Sequence, residues 1–129
     1  MSDLSLRELA EELQRFAAER DWEQFHSPKN LAMALSVEVA EIAEHFQWLT
    51  EAQSRELDVT KSDEVAAELA DALIYLVRLA DQLGVDLHQA TIKKLALNAQ
   101  KYPADKVRGS ARKYSEYEDY KGVLKRGLK

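Results

Sequence analysis

Apolar side chains recur along this chain at spacings of three and four residues, the periodicity of helices that bury one face. Such runs predict four long helices, over residues 5–20, 27–48, 62–83 and 86–102. No run alternates apolar and polar positions in the manner of a half-buried strand. We therefore expect an all-α fold, arranged as a four-helix bundle.

Local signals mark the ends of these helices. Ser5 begins a capping-box pattern, and Ser27 precedes a proline that fits the first helical position. Residues 49–61 are polar and lack an apolar stripe, so Ser62 is the predicted cap of the third helix. Gly84 follows the third helix as its predicted stop.

The second and third predicted helices each carry an apolar stripe. The stripe of the second helix comprises Leu31, Leu35, Val39, Ile42, Phe46 and Leu49. The stripe of the third comprises Val65, Leu69, Ala72, Leu73, Leu76, Leu79 and Leu83. The third helix has little polar surface on its other sides, which in a short chain favours self-association.

Acidic residues accompany both stripes. Glu38 and Glu41 are three residues apart on the second helix, as are Glu68 and Asp71 on the third. A carboxylate beside an apolar seam costs free energy unless its charge is compensated, and we expect no nearby basic residue to do so. Two such pairs on facing helices would offer four oxygen ligands, which suit Mg²⁺ or Mn²⁺. Ordinary solvated helix faces are the alternative for either pair taken alone.

Composition narrows the function classes. The chain has 129 residues with 18 Lys and Arg, 23 Asp and Glu, and no Cys. Residues 1–100 carry a net charge of −10 and residues 101–129 one of +5, which argues against a general nucleic-acid binder. No apolar run could span a membrane, and no hydrophobic leader begins the sequence, so we expect a cytoplasmic protein. We divide it into a helical body, 1–103, and a basic tail, 104–129, that docks on the bundle or on a neighbouring subunit, with binding of a polyanion as the alternative.

The acid pairs lie in the strings EVAE, at 38–41, and ELAD, at 68–71. These resemble the E-x-x-E and E-x-x-D signature of the all-α nucleoside triphosphate pyrophosphohydrolases, the MazG-like superfamily. The longer strings RDWEQFHSPKNLAMALSVEVAEIAEHFQW, ADALIYLV, LNAQKYP and RKY look like its dCTP pyrophosphatase branch. The resemblance covers most of the chain. It implies a helical bundle, usually dimeric or tetrameric, that hydrolyses a nucleoside triphosphate to monophosphate and diphosphate. The implied magnesium ligands and catalytic residues are Glu38, Glu41, Glu68 and Asp71.

The resemblance also implies a nucleotide-binding set. The implied pocket residues are Trp22, Glu23, Gln24, Phe25, His26, Trp48 and Tyr75, and the implied phosphate contacts are Lys94, Asn98 and Tyr102. The residue types agree with these roles, because indole rings stack on bases and cationic or amide groups donate to phosphate oxygens. Each tryptophan could equally be a packing anchor. His26 could contact base or sugar, or cap the second helix, whereas we interpret His45 and His88 as surface or packing residues.

Together with the acid pairs, the resemblance implies a magnesium-dependent pyrophosphohydrolase that converts dCTP, or a 5-modified dCTP, to dCMP and diphosphate and so sanitises the nucleotide pool. One acid would orient or deprotonate the attacking water, and Glu41 and Glu64 are the candidates. Two alternatives stay open. One is a house-cleaning pyrophosphohydrolase of broad specificity, and the other is a helical module that binds nucleotides without hydrolysing them.

Overall fold

The computed structural model describes residues 3–113, which contain helices, turns and loops and no β-strand. The elements are α1 (Leu6–Glu19), a 3₁₀ turn (Glu23–Phe25), α2 (Pro28–Phe46), α3 (Glu51–Ser54), α4 (Val59–Gln82), α5 (Leu87–Lys101) and α6 (Ala104–Val107). The predicted all-α class is confirmed. Over the same residues, every helix is too short or too polar to cross a bilayer.

The chain divides into two compact units, with the boundary after Leu87. In the first unit, α4 packs along α2 and also contacts α1. The buried apolar side chains of this unit are Ala17, Leu31, Val65, Val77 and Ala80. The second unit holds the rest of α5 and α6. Our division into a body and a basic tail stays a prediction, and residues 114–129 of that tail lie outside the described residues.

A tight turn ends α1 and positions the segment that follows it. The backbone N–H of Trp22 donates to the Ala17 carbonyl at 2.9 Å, and that of Asp21 donates to the Ala18 carbonyl at 3.1 Å. Asp21 has a φ of 54°, a left-handed conformation that aspartate tolerates better than most residues. This pair of bonds satisfies carbonyls that the helix end leaves open and directs Trp22 into the link towards α2.

The start of α4 differs from the sequence prediction. The helix begins at Val59, and the carboxylate of Asp58 accepts a hydrogen bond from the Lys61 backbone N–H at 2.8 Å. Ser62 therefore lies inside the helix, and α3 occupies part of the stretch expected to be irregular. Aspartate caps a helix as well as serine does, so α4 begins directly after Asp58 and gains about one turn before Ser62.

We expect Asp58→Ala to lower the free energy of unfolding by about 1 kcal/mol, because it removes this acceptor from the first turn of α4. Ser62→Ala should change it by less than about 0.5 kcal/mol, since alanine suits an exposed helix interior. Urea unfolding of both variants measures the difference. Equal losses in the two variants would contradict the observed cap.

The apolar stripes face the core of a single chain only in part. Leu31 and Val65 are buried, as expected. The expected place of Val39 in the buried stripe is wrong, because its side chain is 53% exposed. On α4, Leu69 and Leu73 are also exposed, while Glu68 faces α2. The contact between α2 and α4 therefore includes the acidic residue Glu68. The leucines on another face of α4 are exposed in the single chain.

Candidate metal centre and nucleotide-binding segment

Three carboxylates converge at the seam between α2 and α4. Glu38 and Glu41 lie one turn apart on α2, and Glu68 lies opposite them on α4. Each offers one carboxylate oxygen, and these three oxygens lie within 4.8 Å of one another. The spacing of three residues places the two α2 acids on one helix face, and packing of α4 brings the third acid to them.

Glu38 is the member of this acid cluster whose ionised form is strongly disfavoured by its surroundings. Its Oε2 atom is buried and has no hydrogen-bond partner. Desolvation, a hydrogen bond with Glu41 and the charges of Glu41, Asp71 and Glu68 raise the pKa of Glu38 to about 7. A hydrogen bond with Glu41, followed by desolvation, also raises the pKa of Glu68. The unsatisfied Oε2 atom of Glu38 fits a divalent cation, because the positive charge would offset the repulsion among the three carboxylates.

Asp71 lies at the margin of the acid cluster. It is on α4, one turn after Glu68, and its charge is felt by Glu38. Its side chain is exposed and does not belong to the group of three converging oxygens. The structure thus brings together three of the four predicted ligands, and the role of Asp71 as the fourth stays a prediction.

The expectation that no basic residue lies near the acids is wrong, because His45, interpreted from the sequence as a surface or packing residue, lies beside them. The His45 side chain is 17% exposed, with Nε2 at 3.7 Å from Oε1 of Glu68 and Nδ1 at 3.9 Å from Oε2 of Glu64. Lys61 Nζ lies 3.3 Å from the same Glu64 oxygen and 3.3 Å from His45 Nδ1. The sequence contained a signal for this contact, because His45 lies one turn after Glu41 and therefore on the same face of α2.

This arrangement separates the two candidate bases. Glu41 lies inside the acid cluster, with a carboxylate oxygen within 4.8 Å of the oxygens of Glu38 and Glu68. Glu64 lies at its edge, half exposed and ion-paired with Lys61. A base must stand beside the water that it activates, and the water must stand beside the metal. The geometry favours Glu41.

The segment 22–26 joins α1 to α2 and carries five of the predicted nucleotide contacts. The Trp22 ring, 45% exposed, lies edge-on to Phe16 with centroids 5.8 Å apart. Glu23, Gln24 and Phe25 form the 3₁₀ turn, and all three are exposed. The turn thus presents mixed polar and aromatic side chains to solvent, beside a partly packed indole.

His26 ends this segment and is hydrogen-bonded to a residue of α4. Its Nδ1 atom accepts a hydrogen bond from Nε of Arg78 at 3.1 Å. The alternative role of His26 as the cap of α2 is wrong, because the Ser27 hydroxyl performs it, accepting from the Asn30 backbone N–H at 3.1 Å. The ring centroid also lies 6.4 Å from that of Trp22, so the two rings are neighbours within segment 22–26.

The remaining predicted contacts are distributed over the chain. Trp48 follows the end of α2 with 87% of its surface exposed, and Tyr75 is partly buried on α4. The ring partners of Trp22 among the described residues are Phe16 and His26, so an indole sandwich with Trp48 stays a prediction. Lys94, Asn98 and Tyr102 belong to the second unit, and their phosphate-binding role also stays a prediction.

The raised pKa of Glu38 predicts how stability varies with pH in the metal-free protein. The folded state holds this proton more tightly than the unfolded state, so its contribution to stability is complete below about pH 4.5 and is lost as the pH rises through about 7. Magnesium should reverse the trend, because its ligands must be deprotonated. Melting temperatures measured across this range, with EDTA and with Mg²⁺, check the prediction. A Mg²⁺ effect that is constant with pH would contradict it.

Over the described residues, an all-helical fold carries three carboxylates that converge across one helix pair, which defines a helical protein with a candidate metal centre. Residues 33–117 match the model of the MazG-like family. The chain therefore belongs to the MazG-like family, as the EVAE and ELAD strings indicated.

Relatives in the family are similar over most of this chain. The dCTP pyrophosphatase 1 of Homo sapiens is 50% identical over 103 residues, which are 78% of this chain and 61% of the relative. The protein of the same name from Bos taurus is 48% identical over a stretch of the same length. The chain thus spans about 61% of the length of these curated relatives. The crystal structure of a pyrophosphatase from Archaeoglobus fulgidus is similar with a TM-score of 0.72 and 38% identity, covering 80% of this chain and 96% of that one.

Proposed function

We propose that this protein is a magnesium-dependent nucleoside triphosphate pyrophosphohydrolase that converts dCTP, or a 5-modified dCTP, to dCMP and diphosphate. The observation that carries the proposal is the convergence of Glu38, Glu41 and Glu68 in a MazG-like chain. Similarity to proteins named dCTP pyrophosphatase 1 supports the choice of substrate. Removal of such nucleotides would sanitise the nucleotide pool.

Glu38, Glu41 and Glu68 would hold the metal, with Asp71 completing the set, and Mn²⁺ could replace Mg²⁺ at an all-oxygen site. Bound Mg²⁺ would supply charge compensation for the phosphates and an activated water. The carboxylates by themselves repel a triphosphate, so metal and nucleotide should bind cooperatively. In this proposal Glu41 would accept the proton of the attacking water, and its nearness to Glu38 and Glu68 supports that role.

The nucleotide would be held by groups outside the acid cluster. Segment 22–26, Trp48 and Tyr75 would receive the base and sugar, since they present aromatic faces and polar atoms. Lys94, Asn98 and Tyr102 would donate to the phosphates. A clamp of metal and donors binds any triphosphate, so selection of cytosine depends on the aromatic residues.

A panel of canonical and 5-substituted nucleotides, with Mg²⁺ and with EDTA, tests the proposal through the release of monophosphate and diphosphate. Metal-dependent hydrolysis with a preference for dCTP is the expected result. Similar turnover of all bases would instead support the broad-specificity alternative. Tight binding without any hydrolysis would support a binding module and overturn the enzymatic proposal.

Self-association is part of the same proposal, in the form of a dimer or tetramer of this chain. The exposed leucines of α4 and of its C-cap support it: Leu69, Leu73, Leu76 and Leu83 are 54%, 43%, 41% and 57% exposed. Contiguous apolar surface of this kind is typical of an interface. Sedimentation at micromolar concentration should show a species larger than one chain, and an active, monodisperse monomer would contradict it. A cytoplasmic location and the lack of a nucleic-acid partner stay predictions.

A further inference from the structure

Arg78 is the buried charged residue of the described chain, with 2% of its surface exposed. Its guanidinium is satisfied on several sides. Nε donates to His26 Nδ1 at 3.1 Å, and Nη1 donates to Oδ2 of Asp81 at 3.2 Å. The Gln82 amide, oriented with its oxygen towards the guanidinium, accepts from both Nη atoms at 3.2 Å. A buried charge needs such partners, and among these bonds the one to His26 links α4 to segment 22–26.

The bond to His26 determines which ring nitrogen carries a proton. Arginine stays protonated and donates only, so His26 Nδ1 must accept with its lone pair. A neutral imidazole that accepts at Nδ1 carries its proton on Nε2. Burial and then the Arg78 charge lower the pKa of His26, while Glu23 opposes them. The carboxylate of Asp81, also on α4, partly offsets the positive charge of the same guanidinium. The ring is therefore a neutral hydrogen-bond donor.

We propose that Arg78 is a positioning residue that fixes His26 as the Nε2–H tautomer, so that segment 22–26 offers the nucleotide a neutral donor rather than a cation. The proposal rests on the proposed function and deepens it. A cation would favour phosphates, which all nucleoside triphosphates share. A neutral donor instead recognises an acceptor on base or sugar, such as a pyrimidine carbonyl oxygen, and so contributes to selectivity.

The tautomer is tested without reference to activity. Long-range ¹H–¹⁵N correlation spectra of the ligand-free protein at neutral pH distinguish protonated from unprotonated ring nitrogens, and exposed His88 is an internal comparison. We expect His26 to show a protonated Nε2 and an unprotonated Nδ1. In Arg78→Lys, which keeps a positive charge but loses the guanidinium Nε, the two tautomers should mix. A single unchanged tautomer in that variant, or Nδ1 protonated in the parent protein, would overturn the proposal.

The kinetic arm compares Arg78→Lys with Arg7→Lys, the same change at a side chain that is 82% exposed. We expect Arg78→Lys to raise KM for dCTP by roughly 5- to 20-fold, the scale of one lost hydrogen bond, and to reduce the preference for dCTP over dATP. The value of kcat should change little, because the acid cluster is untouched. Arg7→Lys should alter neither constant. A lower melting temperature with unchanged KM and nucleotide preference would assign Arg78 a purely structural role.

Two substitutions of His26 separate the partner of Arg78 from the donor. Asparagine can still accept from Arg78 near the Nδ1 position but has no donor near Nε2, whereas glutamine reaches the Nε2 position with its amide N–H. We expect His26→Gln to keep more of the dCTP preference than His26→Asn, and the reverse order would overturn the proposal. If the parent protein hydrolyses no nucleotide, the proposed function fails, while the spectra still decide what Arg78 does to His26.

Discussion

Replacing Glu38 by glutamine is expected to abolish metal-dependent hydrolysis while leaving the protein folded. The substitution keeps the side-chain volume and removes one of three converging negative charges, so the metal-free variant should melt no lower than the parent protein. Its kcat should fall by at least about 100-fold, because even the partners of metal ligands contribute on that scale. Hydrolysis assays and melting curves, each with Mg²⁺ and with EDTA, measure both effects.

Glu44→Gln is the matched control, since Glu44 is on the same helix but exposed. It should hydrolyse dCTP like the parent protein and retain the increase in melting temperature with Mg²⁺, an increase that Glu38→Gln should lose. Asp71→Asn should also abolish turnover if Asp71 completes the ligand set. Full activity of Glu38→Gln would remove the acid cluster from the proposed mechanism.

The second large effect is expected from Trp48→Ala. If the indole stacks on the base, KM for dCTP should rise roughly 10- to 100-fold, which corresponds to about 1 to 3 kcal/mol of lost stacking. The value of kcat should fall less, because Trp48 is outside the acid cluster. The 87% exposure of Trp48 predicts little change in melting temperature, since truncation removes almost no buried surface within the chain.

Kinetics for dCTP, dTTP and dATP, measured beside melting curves, separate stacking from packing. Val59→Ala is a suitable control, because Val59 is apolar and 78% exposed but lies at the start of α4. It should leave KM unchanged. If Trp48→Ala melts much lower and keeps the parental affinity and nucleotide ranking, Trp48 is a packing or interface residue and not part of the pocket.

The sequence by itself determined the helical class, most helix boundaries and the acid pairs. These features are local: apolar periodicity, the Ser5 and Ser27 caps and the Gly84 stop act over one or two helical turns. The cap of α4 was missed because Asp58 and Ser62 are both good caps one turn apart, and only the formed helix distinguishes them. Family membership was also accessible, since its motifs lie within contiguous strings.

Tertiary structure alone decided which charges meet. Packing of α2 on α4 placed His45 against Glu68 and left Asp71 at the margin of the acid cluster. The bond between Arg78 and His26 joins residues 52 positions apart, and no local periodicity encodes such a pair. The exposure of Val39 has the same origin, because one helical face is apolar by sequence, but the neighbouring helix determines how much of it is covered.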